Sequence, residues 1–538
     1  MNPASTEKFA LYVAVSTGIV MVTFLIFVRA LGHDFVHYDD YAYVVENTNI
    51  QGGISFALLY WAFTSFDDCL WAPLMRLSHW ADYRLFGLNP AGHHLSSIIL
   101  HSASAALFLV FLYRATGAFW PAAFAAMLFA WHPLRVEAVA WVAARKELLC
   151  AFFWLLALLA YDAWVKRRGG VRVAAVVAAS ALAMMSKPMA VSLPCVLLLL
   201  DFWPYRRMDL RGPLREAALR LGRLALEKAP IFAMAIGAAV LTIFAEDEAI
   251  VPPERLSLAQ RIANSLVGYV LYLVKTVWPH PLVIPYMRTP DFAPWWKAVA
   301  AAALIAALCA ALWLLRERQR PLFVGVLWFL GTLVPVIGIV SIGHHVMADR
   351  FSYIPHMGLF MGCSYALADG VRSRPRARMA ATAAALIAAA ALPPLAFRQT
   401  GYWKDTVTLF THTLTVQHNN YVAYCNIGTY WMWAGRADVA LPNFKRACEI
   451  SPDSDAAWND LAAAHLALGQ SAAAAEIFAR IVERDPDDAE LRVNYGAALL
   501  SMGDANGARR QAQAALQLDP RFEKARMLLE MIPPPDPE

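Results

Sequence analysis

Residues 295–315 read WWKAVAAAALIAALCAALWLL, and Lys297 is the only charged residue among them. A helix needs about 20 mostly apolar residues to cross the hydrocarbon core of a membrane, so this stretch predicts a transmembrane helix. The 538-residue chain has the same character throughout, because 59% of its residues are hydrophobic and 16% are charged. A soluble domain carries about 25% charged residues. The composition therefore excludes an ordinary soluble protein.

Ten further apolar segments resemble the first, and together they predict an all-α membrane bundle with eleven crossings. They are residues 9–31, 94–113, 118–131, 148–165, 171–185, 189–202, 229–245, 321–342, 351–368 and 379–397. Several are short, which is tolerated where other protein covers the backbone. Residues 259–278 are also apolar but contain Arg261 and Lys275. We expect them to be re-entrant or to lie along the outer surface.

Clusters of lysine and arginine predict the orientation of the bundle. They lie at residues 166–168, 206–228, 316–320 and 372–378. The positive-inside rule places all four on the cytoplasmic face, with the N-terminus inside and the C-terminus outside. The net charge of +5 is small, and the arginines lie in short loops between apolar segments. This pattern sets membrane topology and does not indicate a nucleic-acid partner. We expect a bacterial inner-membrane protein with a periplasmic C-terminus, or an endoplasmic-reticulum protein with a lumenal one.

A 34-residue period appears in the C-terminal part of the chain, where Gly435, Gly469 and Gly503 recur at that spacing. This is the period of tetratricopeptide repeats, which are pairs of antiparallel helices that stack into a solenoid. The sequence predicts a membrane domain over residues 1–398. A repeat domain follows over residues 399–538, with a half-repeat, three repeats and a capping helix.

Stacked helix pairs form a concave groove of the kind that binds extended peptides. The residues expected to line it are Asn426, Tyr430, Asn459 and Asn494. The asparagines could equally hydrogen-bond within the array. The repeats are therefore predicted either to bind a secreted or membrane protein, or to mediate dimerisation or docking to another envelope protein.

Ionisable residues mark the segments predicted to lie outside the membrane. Asp39 and Asp40 follow the first crossing closely, and two adjacent carboxylates can supply a general base or bind a metal; they also occur in ordinary solvated loops. The other candidates are His132, Glu137, Arg145, Lys187 and Arg350. Each alone is readily explained as a charge that snorkels or pairs at the membrane surface. Together they predict an external cleft suited to a phosphate leaving group.

The histidines do not predict a metal site. The pairs at 93–94 and 344–345 are adjacent in sequence, so the members of a pair do not share a helix face, and no zinc-binding spacing occurs. We expect neither a metal nor another cofactor.

Several motifs give the chain a family resemblance. They are HYDD at 37–40, WAPLMRLSH at 71–79, FGLNPAGHHL at 86–95, HP at 132–133, SKPM at 186–189, ADRFSYIP at 348–355 and the repeats. In these motifs, which occur in the same order along nearly the whole chain, it resembles the transmembrane and tetratricopeptide-repeat-containing O-mannosyltransferases and their bacterial relatives.

The resemblance implies a multi-span GT-C fold with a catalytic aspartate in the first external loop. It implies an inverting transfer from a polyprenyl-phosphate sugar, mannose in the characterised eukaryotic members, to Ser or Thr hydroxyls of proteins. Asp39 is then the general base and Asp40 supports it. The residues implied for the lipid-phosphate donor are Arg350, Lys187, Arg145, His132 and Glu137.

Two other functions fit parts of the sequence. A glycosyltransferase acting on a glycolipid or polysaccharide explains a membrane site but leaves the repeats little to do. A non-catalytic, membrane-anchored repeat scaffold explains the repeats but needs one crossing and leaves Asp39, Lys187 and Arg350 without a role. No residue pattern identifies the sugar.

Overall fold

The computed structural model of the protein describes residues 3–247, 250–252, 256–288, 292–341, 343 and 345–533. These residues form two compact units. The first comprises residues 1–282 and 286–405, and the second comprises residues 283–285 and 406–538. The all-α prediction is confirmed, because the regular secondary structure of the described residues is helical apart from one two-stranded antiparallel sheet in the first unit.

The first unit is a bundle of helices of very unequal length. Its helices are α1 Pro3–Phe27, α2 Thr48–Gln51, α3 Phe56–Thr64, α4 Pro73–Phe86, α5 Pro90–Thr116, α6 Phe119–Trp131, α7 Val136–Ala140, α8 Arg145–Lys166, α9 Gly170–Ser186, α10 Leu193–Phe202, α11 Leu214–Leu226, α12 Ala229–Ala245, α13 Leu258–Val277, α14 Trp295–Leu315, α15 Arg320–Leu333, α16 Pro355–Val371 and α17 Pro375–Thr400. The strands are β1 Tyr286–Met287 and β2 His345–Met347, with Tyr286 opposite Met347.

Five of these helices, α1, α5, α8, α14 and α17, are long and apolar enough to cross a membrane. The pair α11 and α12, bent by 72° at a short break, adds a sixth span if it is counted as one. Helices α6, α9 and α15, and the apolar helical segment that includes α10, are shorter. The chain is thus an integral membrane protein. Each of the eleven predicted segments contains a helix, and the number of crossings stays a prediction.

Two predicted membrane segments differ from the structure. The segment at 321–342 is helical only as far as Leu333, because Pro335 cannot continue the hydrogen-bond ladder and Gly338 adopts a left-handed φ of 101°. Residues 259–277 lie within one unbroken helix, α13, which excludes a re-entrant hairpin, while a position along the outer surface stays a prediction. Arg261 is accommodated on the buried face of α13, where its Nε donates to the Leu256 carbonyl at 2.9 Å.

The second unit is a stack of helix pairs. Its helices are α18 Thr406–Val416, α19 Tyr421–Trp433, α20 Ala437–Ile450, α21 Asp455–Ala467, α22 Ser471–Arg484, α23 Ala489–Ser501, α24 Ala505–Leu518 and α25 Glu523–Met531. The three glycines at the 34-residue spacing occupy the turns within the pairs, with φ between 70° and 87°, a region that favours glycine. At Gly428 an added Cβ would lie 2.6 Å from the Phe444 ring. The repeat therefore depends on small residues that let the paired helices approach.

Candidate active site

Asp40 fixes the loop that follows α1. Its side chain is fully buried. One carboxylate oxygen accepts from the Val36 amide at 2.9 Å, and the other accepts from the Ala143 amide at 2.7 Å. Both oxygens are therefore engaged by backbone, and the loop is tied to the segment just before α8. Asp40 positions the loop, and its carboxylate does not lie open to a substrate.

Asp39 lies in a different environment from its neighbour. It is partly exposed, and the positive charges that act on it are those of Lys146 and Arg350. Burial raises the pKa of the Asp39 carboxyl above its ordinary value, while the two cations oppose that rise. A carboxylate that is accessible, close to cations and more basic than usual suits a general base.

The pKa of Asp40 leads to a prediction about stability. Burial raises this pKa from 3.8 to about 7 in the folded protein, so between those values the folded state holds a proton that the unfolded state has lost. The free energy of unfolding should therefore fall as pH rises from about 4 to about 7 and then level off. The contribution of Asp40 to this fall is at most about 4 kcal/mol. Thermal unfolding in detergent should show a shallower pH dependence for Asp40→Asn than for wild type. Equal slopes would contradict the buried, protonated carboxyl.

A cavity of about 400 Å³ lies beside these residues. Its polar end is formed by Lys146, Glu147, Lys187 and Arg350. Its apolar wall comes from α12 and from the irregular segment after α15, through residues such as Ala239, Ile243, Pro335, Val336 and Val340. Asp39 is not itself a lining residue, but two of the lining cations act on it. The cavity joins a cationic end to an apolar wall.

Arg350 is the most firmly held of these cations. Its guanidinium pairs with the buried Glu137, and its backbone amide donates to the second Glu137 oxygen at 3.3 Å. The guanidinium carbon lies 5.0 Å from the Trp141 ring centroid and 4.8 Å from that of Phe351. Glu137 therefore contacts the cavity cation Arg350 and is not itself one of the residues that line the cavity.

Lys187 lies between the end of α9 and Pro188, and its backbone is extended. This conformation is favoured for the residue before a proline. Its ammonium pairs with Glu147 and lies 4.8 Å from the Phe351 ring centroid. The structure thus brings Lys187 and Arg350 to the same cavity through Phe351.

Lys146 is a cavity residue absent from the sequence-based candidates. Its ammonium lies 5.3 Å from the Tyr43 ring centroid, and among the described residues no carboxylate lies within ion-pair distance of it. Lys146 lies between Arg145, which was a candidate, and Glu147, at the first turn of α8. Successive residues of a helix point about 100° apart, so the sequence alone did not reveal which of them faces the cavity.

Arg145 does not reach the cavity. It is fully buried, and its guanidinium pairs with Asp82 at 2.7 Å, donates to the Ser78 and Ser97 hydroxyls, and donates to the His93 carbonyl at 2.6 Å. These contacts join α4 and α5 to the start of α8. The structure thus places Arg145 in a buried network, and its part in donor binding stays a prediction.

His132 is likewise a structural residue. Its Nε2 hydrogen-bonds to the Thr276 carbonyl at 2.9 Å, and its Nδ1 accepts from the Leu134 amide. Burial lowers its pKa to about 3, so the ring is neutral, with both nitrogens engaged by backbone. It is not available as a hydrogen-bond donor to phosphate.

In the second unit, the predicted groove residues are all partly exposed. Asn494 donates to the Asn459 side-chain oxygen at 3.0 Å, which links neighbouring repeats. Asn426 donates to the Val422 carbonyl of its own helix, and the Tyr430 ring lies edge-on to that of Trp431. The asparagines thus do bond within the array, and peptide binding by this face stays a prediction.

Comparisons with known proteins agree with these observations. The tetratricopeptide repeat family matches residues 434–493. Protein O-mannosyl-transferase Tmtc2 of Drosophila melanogaster is 32% identical over 148 residues, which cover 26% of this chain and 16% of the relative. The predicted resemblance is confirmed. Protein O-mannosyl-transferase TMTC4 of Mus musculus is 32% identical over 169 residues, covering 28% of this chain and 23% of the relative.

The matched segments span less than a quarter of either relative's own length. Among solved structures, that of ArnT from Cupriavidus metallidurans bound to undecaprenyl phosphate covers 90% of this chain and 81% of that one, with 17% identity and a TM-score of 0.37. Such a score does not establish a shared fold, and the GT-C arrangement of the helices stays a prediction.

Proposed function

We propose that the chain is a membrane glycosyltransferase that moves a sugar, mannose in the first instance, from a polyprenyl phosphate to Ser or Thr hydroxyls of proteins. The observation that carries this proposal is the cavity, in which Lys146, Lys187 and Arg350 form one end and apolar residues form a wall. A polyprenyl-phosphate sugar has an anionic phosphate that suits the cationic end and an isoprenoid chain that suits the apolar wall. The protein O-mannosyl-transferases that the chain resembles support the choice of sugar and acceptor.

The residues suggest how such a transfer proceeds. Asp39 takes the proton of the acceptor hydroxyl while its oxygen attacks the anomeric carbon. The bond from that carbon to the phosphate oxygen breaks, the configuration inverts, and the polyprenyl phosphate departs with the bonding electrons. Charge develops on the leaving phosphate, and preorganised cations stabilise it most effectively. Of the three cations that line the cavity, Lys146 is the one for which no described residue offers a carboxylate within ion-pair distance, so its charge is least neutralised before the donor binds.

Glu137 and Glu147 give the cationic end a fixed geometry. Each carboxylate is buried and paired, with Arg350 and Lys187 respectively. Positive charges held in place by such partners cost little reorganisation when the phosphate arrives. We infer that the two glutamates position the cations and also prevent their mutual repulsion before donor binding.

Transfer by the purified full-length chain tests the function. We expect it to move mannose from polyprenyl-phosphate mannose to a secreted protein that carries Ser/Thr-rich segments. Asn459→Ala combined with Asn494→Ala should lower transfer to the whole protein by several fold and leave transfer to a short Ser/Thr peptide unchanged, because the groove presents only longer acceptors.

Three results would overturn parts of this proposal. No transfer and no donor hydrolysis would favour a scaffold. Transfer to a glycolipid alone would exclude the protein acceptor. An unchanged whole-protein rate in the asparagine variant would exclude acceptor binding by this groove face.

A further inference from the structure

A second polar cluster, which the proposed transfer does not use, lies in the core between α4 and α5. It consists of His79, Asp82 and His93, with exposed fractions of 0%, 5% and 0%. One potential ligand atom from each residue lies within 4.8 Å of the others. His79 and Asp82 are three residues apart on α4 and so share a face. His93 comes from the first turn of α5.

Ring nitrogens in this cluster have no partner among the described residues. They are both nitrogens of His79 and the Nδ1 of His93. Buried polar atoms are almost always hydrogen-bonded in native proteins, and leaving one unpaired costs about 1–3 kcal/mol. Fully buried imidazoles with free lone pairs next to a carboxylate therefore point to a cationic ligand.

The other polar atoms of His93 and Asp82 make the hydrogen bonds that are typical of metal ligands. The Nε2 of His93 hydrogen-bonds to the Gly87 carbonyl at 3.0 Å, so its Nδ1, 3.7 Å from an Asp82 oxygen, keeps its lone pair. The other Asp82 oxygen accepts from the Ser96 hydroxyl at 2.6 Å. Metal-bound histidines donate their second N–H to such carbonyls, and metal-bound carboxylates are hydrogen-bonded in the same way. Arg145 forms an ion pair with the first Asp82 oxygen at 2.7 Å, and that oxygen keeps a lone pair for an ion.

We propose that His79, Asp82 and His93 bind a divalent transition-metal ion of the zinc class. Two imidazoles and one carboxylate are a ligand set that zinc accepts readily. The ion would join α4 to α5, and through Arg145 it would fix the start of α8, which carries Lys146 and Glu147 to the cavity. This proposal departs from the absence of metal expected from sequence, because the 14-residue separation of His79 and His93 matches no zinc-binding motif.

The metal content of the full-length chain, purified through a tag without histidine, tests the proposal. After equilibration with Zn²⁺ and removal of loosely bound ions, we expect about one ion per chain for a single three-residue site. His79→Gln and His93→Gln should each lose most of it. His94→Gln is the matched control, because His94 is also buried and its ring nitrogens likewise have no partner in the described part of the chain, but it lies outside the cluster.

A wild-type chain that retains no stoichiometric ion would overturn the proposal, as would equal losses in His94→Gln and His79→Gln. If the cluster variants do not fold, the wild type still decides the matter. Replacement of Zn²⁺ by Co²⁺ should produce intense visible absorption if the ion is four-coordinate, and its absence would exclude a four-coordinate ion at these three residues. Neither readout depends on sugar transfer.

Discussion

Asp39→Asn should lower sugar transfer by about 10²–10⁴-fold, the usual contribution of a general base. The amide keeps the size of the side chain but cannot take the acceptor proton. Donor binding should change little or improve, because the cations Lys146 and Arg350, which act on Asp39, lose an anionic neighbour. Initial rates and equilibrium binding of a polyprenyl-phosphate sugar separate the two effects.

Asp34→Asn is the matched control for this prediction. Asp34 lies in the same loop and is exposed, and its backbone amide donates to the Lys404 carbonyl at 2.9 Å, a contact that the substitution leaves intact. Its transfer rate should equal that of wild type. A full rate in Asp39→Asn, or an equal loss in Asp34→Asn, would remove Asp39 from the mechanism.

The adjacent aspartates show how far sequence alone reaches. Two carboxylates after the first crossing predicted a catalytic segment, but neighbouring residues of a helical turn, such as Asp39 and Asp40, point about 100° apart. The environments of Asp39 and Asp40 differ because the Ala143 amide, about a hundred residues later in the chain, donates a hydrogen bond to one Asp40 oxygen. Such a long-range contact leaves no signal in local sequence.

The same limit explains the residues around Arg145. The sequence identified Arg145 as an ionisable residue outside the membrane, whereas the choice between a buried network and the cavity depends on the packing of α4 and α5. The repeats were predictable in detail because a period of 34 residues is a property of the sequence itself. Helix ends within the membrane were harder, since apolar residues after Leu333 line the cavity instead of extending α15.

Arg350→Lys should lower transfer by roughly 10–100-fold although it keeps the charge, because loss of a charge-assisted hydrogen bond costs about 1.5–3 kcal/mol. Lysine lacks the planar fork that pairs with Glu137 while the guanidinium lies against Trp141 and Phe351.

The size of this effect depends on geometry as well as charge, and Glu137→Gln tests that dependence. Glutamine leaves Arg350 charged but removes the partner that orients it, so transfer should fall and donor affinity should fall less. Arg350→Ala alone would leave Glu137 buried and unpaired, which is strongly destabilising; combining it with Glu137→Gln avoids that cost and should nearly abolish donor binding. Arg318→Lys, in an exposed loop, should behave as wild type. Unchanged donor affinity and turnover in the double variant would show that Arg350 does not hold the phosphate, and the cationic end would then act through Lys146 and Lys187 alone.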